Sequence, residues 1–520
     1  MPICATAPDR RIAVWLFAGF LAFYTVLTRG HFYLSDEVEV FQQAQALWER
    51  GDLAVAPNIN TTLGRGGKYY AQYGIGQTVM AIPFYAAGKA VHRILERAGA
   101  TSWIETFAGP VIGDPDKRWG GEVEIFFVNL FCAFVLAALM AVFFMFSRRV
   151  GAAPLWAVAA TVILGVTTHV AGFGVEFLQH PAEALFLLLA FYFLVENSGN
   201  PRPRDRFIAG SMAGMLILVR ASGVVLMPAL TLYLFWCAYR RAKSMEQAIA
   251  ACLPFVIPVL AAIFITMAVN DAKWGQPSFS GNYGAFNSFT NSWLVSIYGY
   301  LFSPGQSIFL FSPILLAAPI YFRPFARKYR AETVAILGLT ISYALFYGLA
   351  RTWHGQWCFG PRYLMAMVPL LLLPLGSWLG TVRRGTWLAI VPLVLIGAFI
   401  EVLHIAVNVS YVVYREHYDK LVPSDAYIFI PQICQIVTHW HALLAWDDRV
   451  DMWVVNVARA LGAGRAIEVA ALPCALLLTS IARVNARLKL AAVPPQEQLA
   501  PSALPSPARD RTLKNRRARV

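Results

Sequence analysis

A chain of 520 residues that is 58% hydrophobic and only 14% charged, with mean hydropathy +0.55, lies outside the range of soluble globular proteins, which carry about 25% charged residues. Apolar runs close to the ~20 residues that cross a bilayer recur along most of its length, so it reads as an all-α polytopic membrane protein, not a barrel of short alternating segments. The net charge of +14 sits in short clusters between those runs and in the C-terminal tail. That is the positive-inside pattern of membrane proteins and argues against a nucleic-acid partner.

In chain order, candidate spans fall at roughly 11–28, 123–146, 152–172, 181–196, 207–219, 222–238, 248–269, 306–322, 332–350, 363–380, 385–408 and 456–482. This is about a dozen helices within a transmembrane domain over 1–484. The N-terminus, with Arg10 and Arg11 before Ile12 to Leu27, has the form of a signal peptide without a convincing small-residue cleavage site, and is read as a retained first helix. Residues 207–238 are split into two short helices, because both flanks are basic and Arg220 lies near their middle.

Basic clusters at Arg10-Arg11, Arg148-Arg149, Arg202-Arg204-Arg206, Arg240-Arg241-Lys243, Arg323-Arg327-Lys328-Arg330 and Arg383-Arg384 then alternate as cytoplasmic loops. The Pro-rich, basic tail 485–520 is expected to be a disordered cytoplasmic extension. The other side receives a long first loop of about 30–122, GVEFLQHP (174–181), the turn at Arg220, residues 270–305, RTWHGQWCFGPRY (351–363) and 409–455. Every unusual polar or aromatic motif is thereby placed on the extracytoplasmic face of an inner membrane, where a rigid scaffold would present a site on its loops.

Within the first loop, Asp36 to Arg50 has helical character, and Ser35 followed by acids suits a helix N-terminus. Tyr73 to Leu95 reads as a second helix lying at the interface. Capping accounts for one acid of Asp36, Glu37 and Glu39, and less readily for all three. A carboxylate at this position can act as general base toward a hydroxyl, which makes Asp36 the candidate base and Glu37 its support.

The stretch DEVEVFQQAQALWERGDL (36–53) resembles the first-loop signature of GT-C glycosyltransferases, in the branch of the protein O-mannosyltransferases and the lipid A aminoarabinose transferase. In that branch an Asp-Glu pair follows the first membrane helix and opens an amphipathic helix that ends in Gly-Asp; here these are Asp36-Glu37 and Gly51-Asp52. The resemblance implies inverting transfer of a sugar from a polyprenyl-phosphate donor to a hydroxyl on a glycan, lipid or protein, with Asp36 as base.

GKYYAQYGIGQTVMAIPFYAAGKAV (67–91) is similar to the second loop helix of bacterial members. Some of them carry Lys-Pro-Pro where this chain has Tyr73-Gly74-Ile75-Gly76-Gln77, so Lys68 or Tyr73 would stand in for a donor-phosphate contact. Relatives also place an Arg or Lys near the position of Arg220, and have W-x-G-x-W-x-(F/Y)-G-P-R-Y-L stretches like the one holding Trp353, His354, Trp357 and Arg362. Arg220, Arg362 and His354 are the expected phosphate or sugar contacts, with His180 of the His-Pro turn as a further lining residue.

The segments 274–284 and 300–313, rich in Gly, Ser and aromatic residues, suit a loop over a lipid or sugar. His439 and His441 with Asp447 and Asp448 are too weak a pattern to call a metal site. No cofactor is called for, though a divalent metal stays open, and no nucleotide motif is present. Cys132, Cys237, Cys252 and Cys474 lie in apolar segments, whereas Cys358 and Cys434 share the outer side, where a disulfide between them is open. The rival class is a transporter or flippase of lipid-linked sugars, which would hold its charges near the bilayer midplane and often repeat itself.

Overall fold

The structure is a computed structural model that describes residues 6–108, 122–195, 202–282, 288–356, 358–414, 425–446 and 449–492. In chain order its helices are α1 (Ala7–Leu27), α2 (Ser35–Arg50), α3 (Ile75–Arg97), α4 (Thr101–Ala108), α5 (Val123–Arg149), α6 (Pro154–Thr167), α7 (His180–Leu194), α8 (Pro203–Val219), α9 (Met227–Ala242), α10 (Met245–Trp274), α11 (Trp293–Phe302), α12 (Ile308–Phe311), α13 (Ala318–Lys328) and α14 (Arg330–Leu349). They continue with α15 (Val368–Leu372), α16 (Leu375–Leu379), α17 (Trp387–Ala406), α18 (Val409–Tyr414), α19 (Gln435–Ala445), α20 (Trp453–Leu461) and α21 (Ala463–Ala492). Every apolar run expected to be a span is helical, and the chain is a multi-pass helical membrane protein.

Seven of the described helices are long and apolar enough to cross a membrane. Four shorter apolar helices, Pro154–Thr167, His180–Leu194, Trp293–Phe302 and Arg362–Leu372, accompany them among the described residues, against about a dozen spans in the sequence reading. The expected spans 306–322 and 363–380 are each broken into short pieces, at Ser312-Pro313 and at Pro374, because proline cannot donate to the helical ladder. The expected span 456–482 is broken at Gly462, whose φ of 90° is not helical. Its second half, α21, runs on to Ala492, beyond the expected end of the membrane domain at 484, and the rest of the tail lies outside the described residues.

The bundle is built around α5. It is apolar on all sides, and 67% of its most apolar window is buried, against 11–39% for the other long helices. Helix α1 lies antiparallel to it, pinned at both ends. Arg148 Nε donates to Asp9 Oδ1 at 2.7 Å at one end, and Thr28 Oγ1 donates to Asn129 Oδ1 at 2.8 Å at the other. The first of these ends also gathers Arg149, which donates to the Tyr192 carbonyl at the close of α7. The second end holds Arg29, Glu176, His180 and Arg220. The helices thus separate a basic end from the end that carries the motifs.

In the long first loop both expected helices are present. Between them lies a small antiparallel sheet, in the order β1 (Ala54–Val55), β3 (Tyr69–Ala71), β2 (Thr61–Leu63), with Ala54 opposite Tyr70 and Thr61 opposite Ala71. Strands this short leave no alternation to read. Helix α3 is not free on a surface: Gly88 packs against the backbone of α5 at Glu124. Its start is held tighter still. A Cβ at Gly74 or Gly76 would overlap the Leu218–Val219 backbone at the end of α8. The Tyr-Gly-Ile-Gly-Gln stretch is therefore what lets α3 seat directly beside Arg220.

Gly74→Ala is expected to lower the thermal midpoint of the detergent-purified protein, with a cost of ~1–3 kcal/mol typical of overpacking. An unchanged midpoint would show that the α3–α8 approach is looser than described.

Candidate active site

The corner between α1 and α2 assigns different work to the two acids of the Asp-Glu pair. Helix α2 begins at Ser35, but Ser35 does not cap it. Instead Glu37 turns back. Its Oε2 accepts from the backbone N–H of Tyr33 (3.0 Å) and Leu34 (2.9 Å), and its Oε1 accepts from the N–H of Phe177 (2.7 Å) in the loop before α7. Glu37 is fully buried, and burial together with neighbouring Glu176 pushes its pKa up to about 7 against the pull of the three amides. It is not among the residues lining the cavity described below; its three hydrogen bonds hold the backbone beside Asp36 and before α7.

Asp36, released from capping, keeps 27% of its side chain exposed. Asn60, in the turn before β2, donates through Nδ2 to Asp36 Oδ1 (3.2 Å) and to Ser35 Oγ (3.0 Å). Arg362 Nη1 lies 3.6 Å from Asp36 Oδ2. Glu39, one turn on, accepts from the Asn60 N–H at 3.2 Å, and its second oxygen has no hydrogen-bond partner. Burial, and then Asp36 beside it, push the Glu39 carboxyl up to about 8.

Asp36 opens onto a cavity of about 450 Å³, within the range of small-molecule sites. Asp36, Tyr73, His180, Arg220 and Arg362 all line it, so five of the eight residues singled out from sequence meet there. Arg220, at the C-terminal end of α8, lays Nη1 3.0 and 3.1 Å from the two ring nitrogens of His180, and lies over the rings of Tyr347 and Tyr363, themselves stacked at 4.1 Å. Glu183, buried in α7, backs the pair: its Oε2 is 3.2 Å from His180 Nδ1 and 3.8 Å from Arg220 Nη1, and the Tyr343 hydroxyl bonds its other oxygen. Arg362 faces the cavity with a buried Nε that has no hydrogen-bond partner. Apolar walls come from Ile217, Val224, Val225, Phe289 and Phe346.

The remaining expectations part from this site. Lys68 sits on the exposed rim of the sheet, paired with Asp52 at 3.1 Å. His354 neighbours Arg362 without lining the cavity; its Nδ1 accepts the Gln356 N–H, and burial holds its pKa down at about 4, with Asp425 opposing and Arg362 adding to the shift. Trp357 lies outside the described residues. Of the segment 274–284, Phe279 and Ser280 line the cavity, and its last two residues lie outside the described ones. Cys358 and Cys434 are both free thiols and form no disulfide. His439 is buried and His441 exposed, so the His-x-His pair does not converge, and Asp447 and Asp448 lie outside the described residues.

No protein-family model and no curated sequence matches this chain. Solved structures do resemble it. ArnT from Cupriavidus metallidurans bound to undecaprenyl phosphate aligns over 92% of this chain and 77% of its own, at 14% identity and TM-score 0.47. The apo form of ArnT aligns at 13% identity and the same score, over 92% and 74%. The apo oligosaccharyltransferase of Archaeoglobus fulgidus aligns at 10% identity and TM-score 0.42, over 83% and 63%.

Sequence reasoning missed Asn60, which orients Asp36, and Lys273. The ammonium of Lys273, buried at the end of α10, donates to the carbonyls of Ala71 (2.9 Å) and Tyr73 (3.0 Å) and so holds the cavity's Tyr73 in place. A lone Lys in the last turn of an apolar helix was the available signal. Its partner carbonyls carry no sequence signature.

Glu39 and Glu37 take up protons on folding, since both are raised above the ordinary value of 4.5. Their neutral forms are favoured in the fold, so stability is greatest below about pH 4.5 and falls as pH rises toward about 8, by up to ~1.4 kcal/mol per pH unit for each group. Glu39→Gln, which keeps an oxygen for the Asn60 amide, should flatten the fall in apparent thermal midpoint between pH 5 and pH 8. An unchanged pH profile would remove Glu39 from this role.

Proposed function

We propose that this protein is a membrane glycosyltransferase that moves a sugar from a polyprenyl-phosphate donor to a hydroxyl acceptor, with Asp36 as general base. The observation that carries the reading is the meeting of Asp36, freed from helix capping by Glu37, with Arg220 and Arg362 around one cavity. A carboxylate and two guanidiniums on one enclosed space suit a reaction that removes a proton on one side and releases a phosphate on the other. The resemblance of residues 36–53 and 351–363 to the GT-C first loop and Trp-rich turn supports the same reading.

In this reading the acceptor hydroxyl attacks the anomeric carbon from the face opposite the lipid phosphate. The new O–C bond forms as the C–O bond to phosphate breaks, and configuration inverts. Asp36 takes the hydroxyl proton, while Asn60 fixes the carboxylate's rotation. Arg362, 3.6 Å from Asp36, holds the departing phosphate together with Arg220. The stacked Tyr347 and Tyr363 keep the Arg220 guanidinium flat and in place. The apolar wall of Val224, Val225, Phe289 and Phe346 takes the first isoprene units of the donor. The cavity faces the extracytoplasmic side, because the basic clusters gather at the opposite end of the bundle.

Purified protein incubated with labelled polyprenyl-phosphate sugar and acceptor extract should release polyprenyl phosphate. Asp36→Asn should lower that rate by ~10²–10⁴ with expression and donor binding retained. Arg220→Gln should lower it by ~10²–10³ and weaken donor binding as well. Full activity of Asp36→Asn would overturn the base assignment. Movement of intact lipid across vesicles without release of polyprenyl phosphate would put a flippase in place of the transferase.

A further inference from the structure

Behind the cavity wall, at the same end of the bundle, lies a cluster that the proposed reaction does not use. His169 follows the end of α6, and Glu401 and His404 occupy the last turns of α17. One ligand atom from each of the three lies within 4.8 Å of the others, and all three side chains are buried. Glu401 and His404 are spaced i, i+3 on one helix face, a spacing used by metal sites inside helical bundles. We propose that His169, Glu401 and His404 form a structural Zn²⁺ site.

The Glu401–His404 pair already has the spacing of two ligands on such an ion. His404 Nδ1 is 3.4 Å from Glu401 Oε2, yet the two do not meet as a hydrogen bond. Ligands on tetrahedral zinc, at ~2.0–2.1 Å from the metal, are separated by about 3.4 Å. Both ring nitrogens of His169 and the second oxygen of Glu401 lack hydrogen-bond partners, although buried polar atoms nearly always have one. On the far side of the His404 ring, Nε2 faces Glu176 Oε1 at 3.4 Å, and Arg29 holds that carboxylate at 3.0 Å. A carboxylate behind a ligating histidine is the usual outer shell of a metal site.

The enclosure and the charge point the same way. A Cβ at Gly172 would overlap the His404 ring, and one at Gly360 would overlap His169. The backbone is thus shaped around the two imidazoles. Phe173, Phe311 and Phe359 pack against them and keep bulk water out. Of the carboxylates buried in this region, Glu176 is held by Arg29 and Asp451 by His31, which leaves Glu401 beside only the His404 imidazole, a charge that a dication offsets. Two imidazoles with one carboxylate select zinc over the oxygen-seeking Mg²⁺ and Ca²⁺. None of the three residues lines the cavity. The ion would tie the end of α6 to the end of α17, stiffening the loop that presents Phe177 to Glu37 and His180 to Arg220.

The test uses the full-length, tag-free protein in detergent. Elemental analysis should find about one zinc per chain after dialysis against Zn²⁺ and washing. Stripping with a chelator should lower the thermal midpoint, and Zn²⁺ but not Mg²⁺ should restore it. Co²⁺ added to stripped protein should give the intense visible absorption of a tetrahedral site. His169→Gln should abolish the Co²⁺ spectrum, and Glu176→Gln should weaken metal binding 10–100-fold. Asp36→Asn should leave both readouts unchanged. Protein that is folded and holds no stoichiometric zinc after dialysis, or a Co²⁺ spectrum that survives His169→Gln, would overturn the site.

Discussion

Three amide N–H groups converge on the buried carboxylate of Glu37, two from the corner between α1 and α2 and one from the loop before α7. Most of the site follows from this contact. It fixes the start of the loop helix against a distant stretch of chain in one arrangement. With the N-terminus of α2 satisfied in this way, Asp36 has no capping duty and projects into the cavity. Loss of the contact would leave three buried donors without acceptors, each costing about 1–3 kcal/mol. The position therefore tolerates little besides an acid.

Around this corner the chain keeps its charges in two unlike settings. Those that face the cavity, Asp36, Arg220 and Arg362, are partly exposed: Arg220 rests on His180 and two tyrosine rings, Asp36 accepts from Asn60, and Arg362 stands 3.6 Å from Asp36. They can exchange one partner for another. Those behind the wall, Arg29, Glu176, Glu401 and His404, are wholly buried and crowd one another at 3.0–3.4 Å. They are committed to each other or to an ion. The loop of residues 168–179 touches both sets: Gly172 and Gly174 let it close on His404 and Tyr24, while Phe177 and Gln179 line the cavity.

What could be read in advance followed from periodicity and from charge. The apolar runs, the two loop helices and the turn at Arg220 all leave patterns many residues long, and the structure has each of them. The gathering of Asp36, His180, Arg220 and Arg362 followed from assigning loops to sides. Contacts made through backbone atoms were not legible. The role of Gly74 and Gly76 depends on the Leu218 carbonyl, and that of Lys273 on the Ala71 and Tyr73 carbonyls. Glu37 and Asp36 are adjacent and chemically alike, and only the direction of three N–H bonds tells them apart. The His169–Glu401–His404 cluster was hidden by distance, since its members sit in separate apolar stretches where each looks like a helix-end polar residue.

The partners of Arg29 carry a consequence for how the protein is made. Its guanidinium bonds Glu176 and also the carbonyls of His404 and Val407, which arrive in the chain 375 and 378 residues later. During synthesis from the N-terminus, α1 enters the membrane long before α17 exists. For that interval a charged side chain destined for a dry interior must be sheltered by lipid headgroups, water or the insertion machinery. The final turns of α17 act as a latch that closes only when most of the chain is in place, so a polypeptide stopped before residue 400 would carry an open, charged seam at its core.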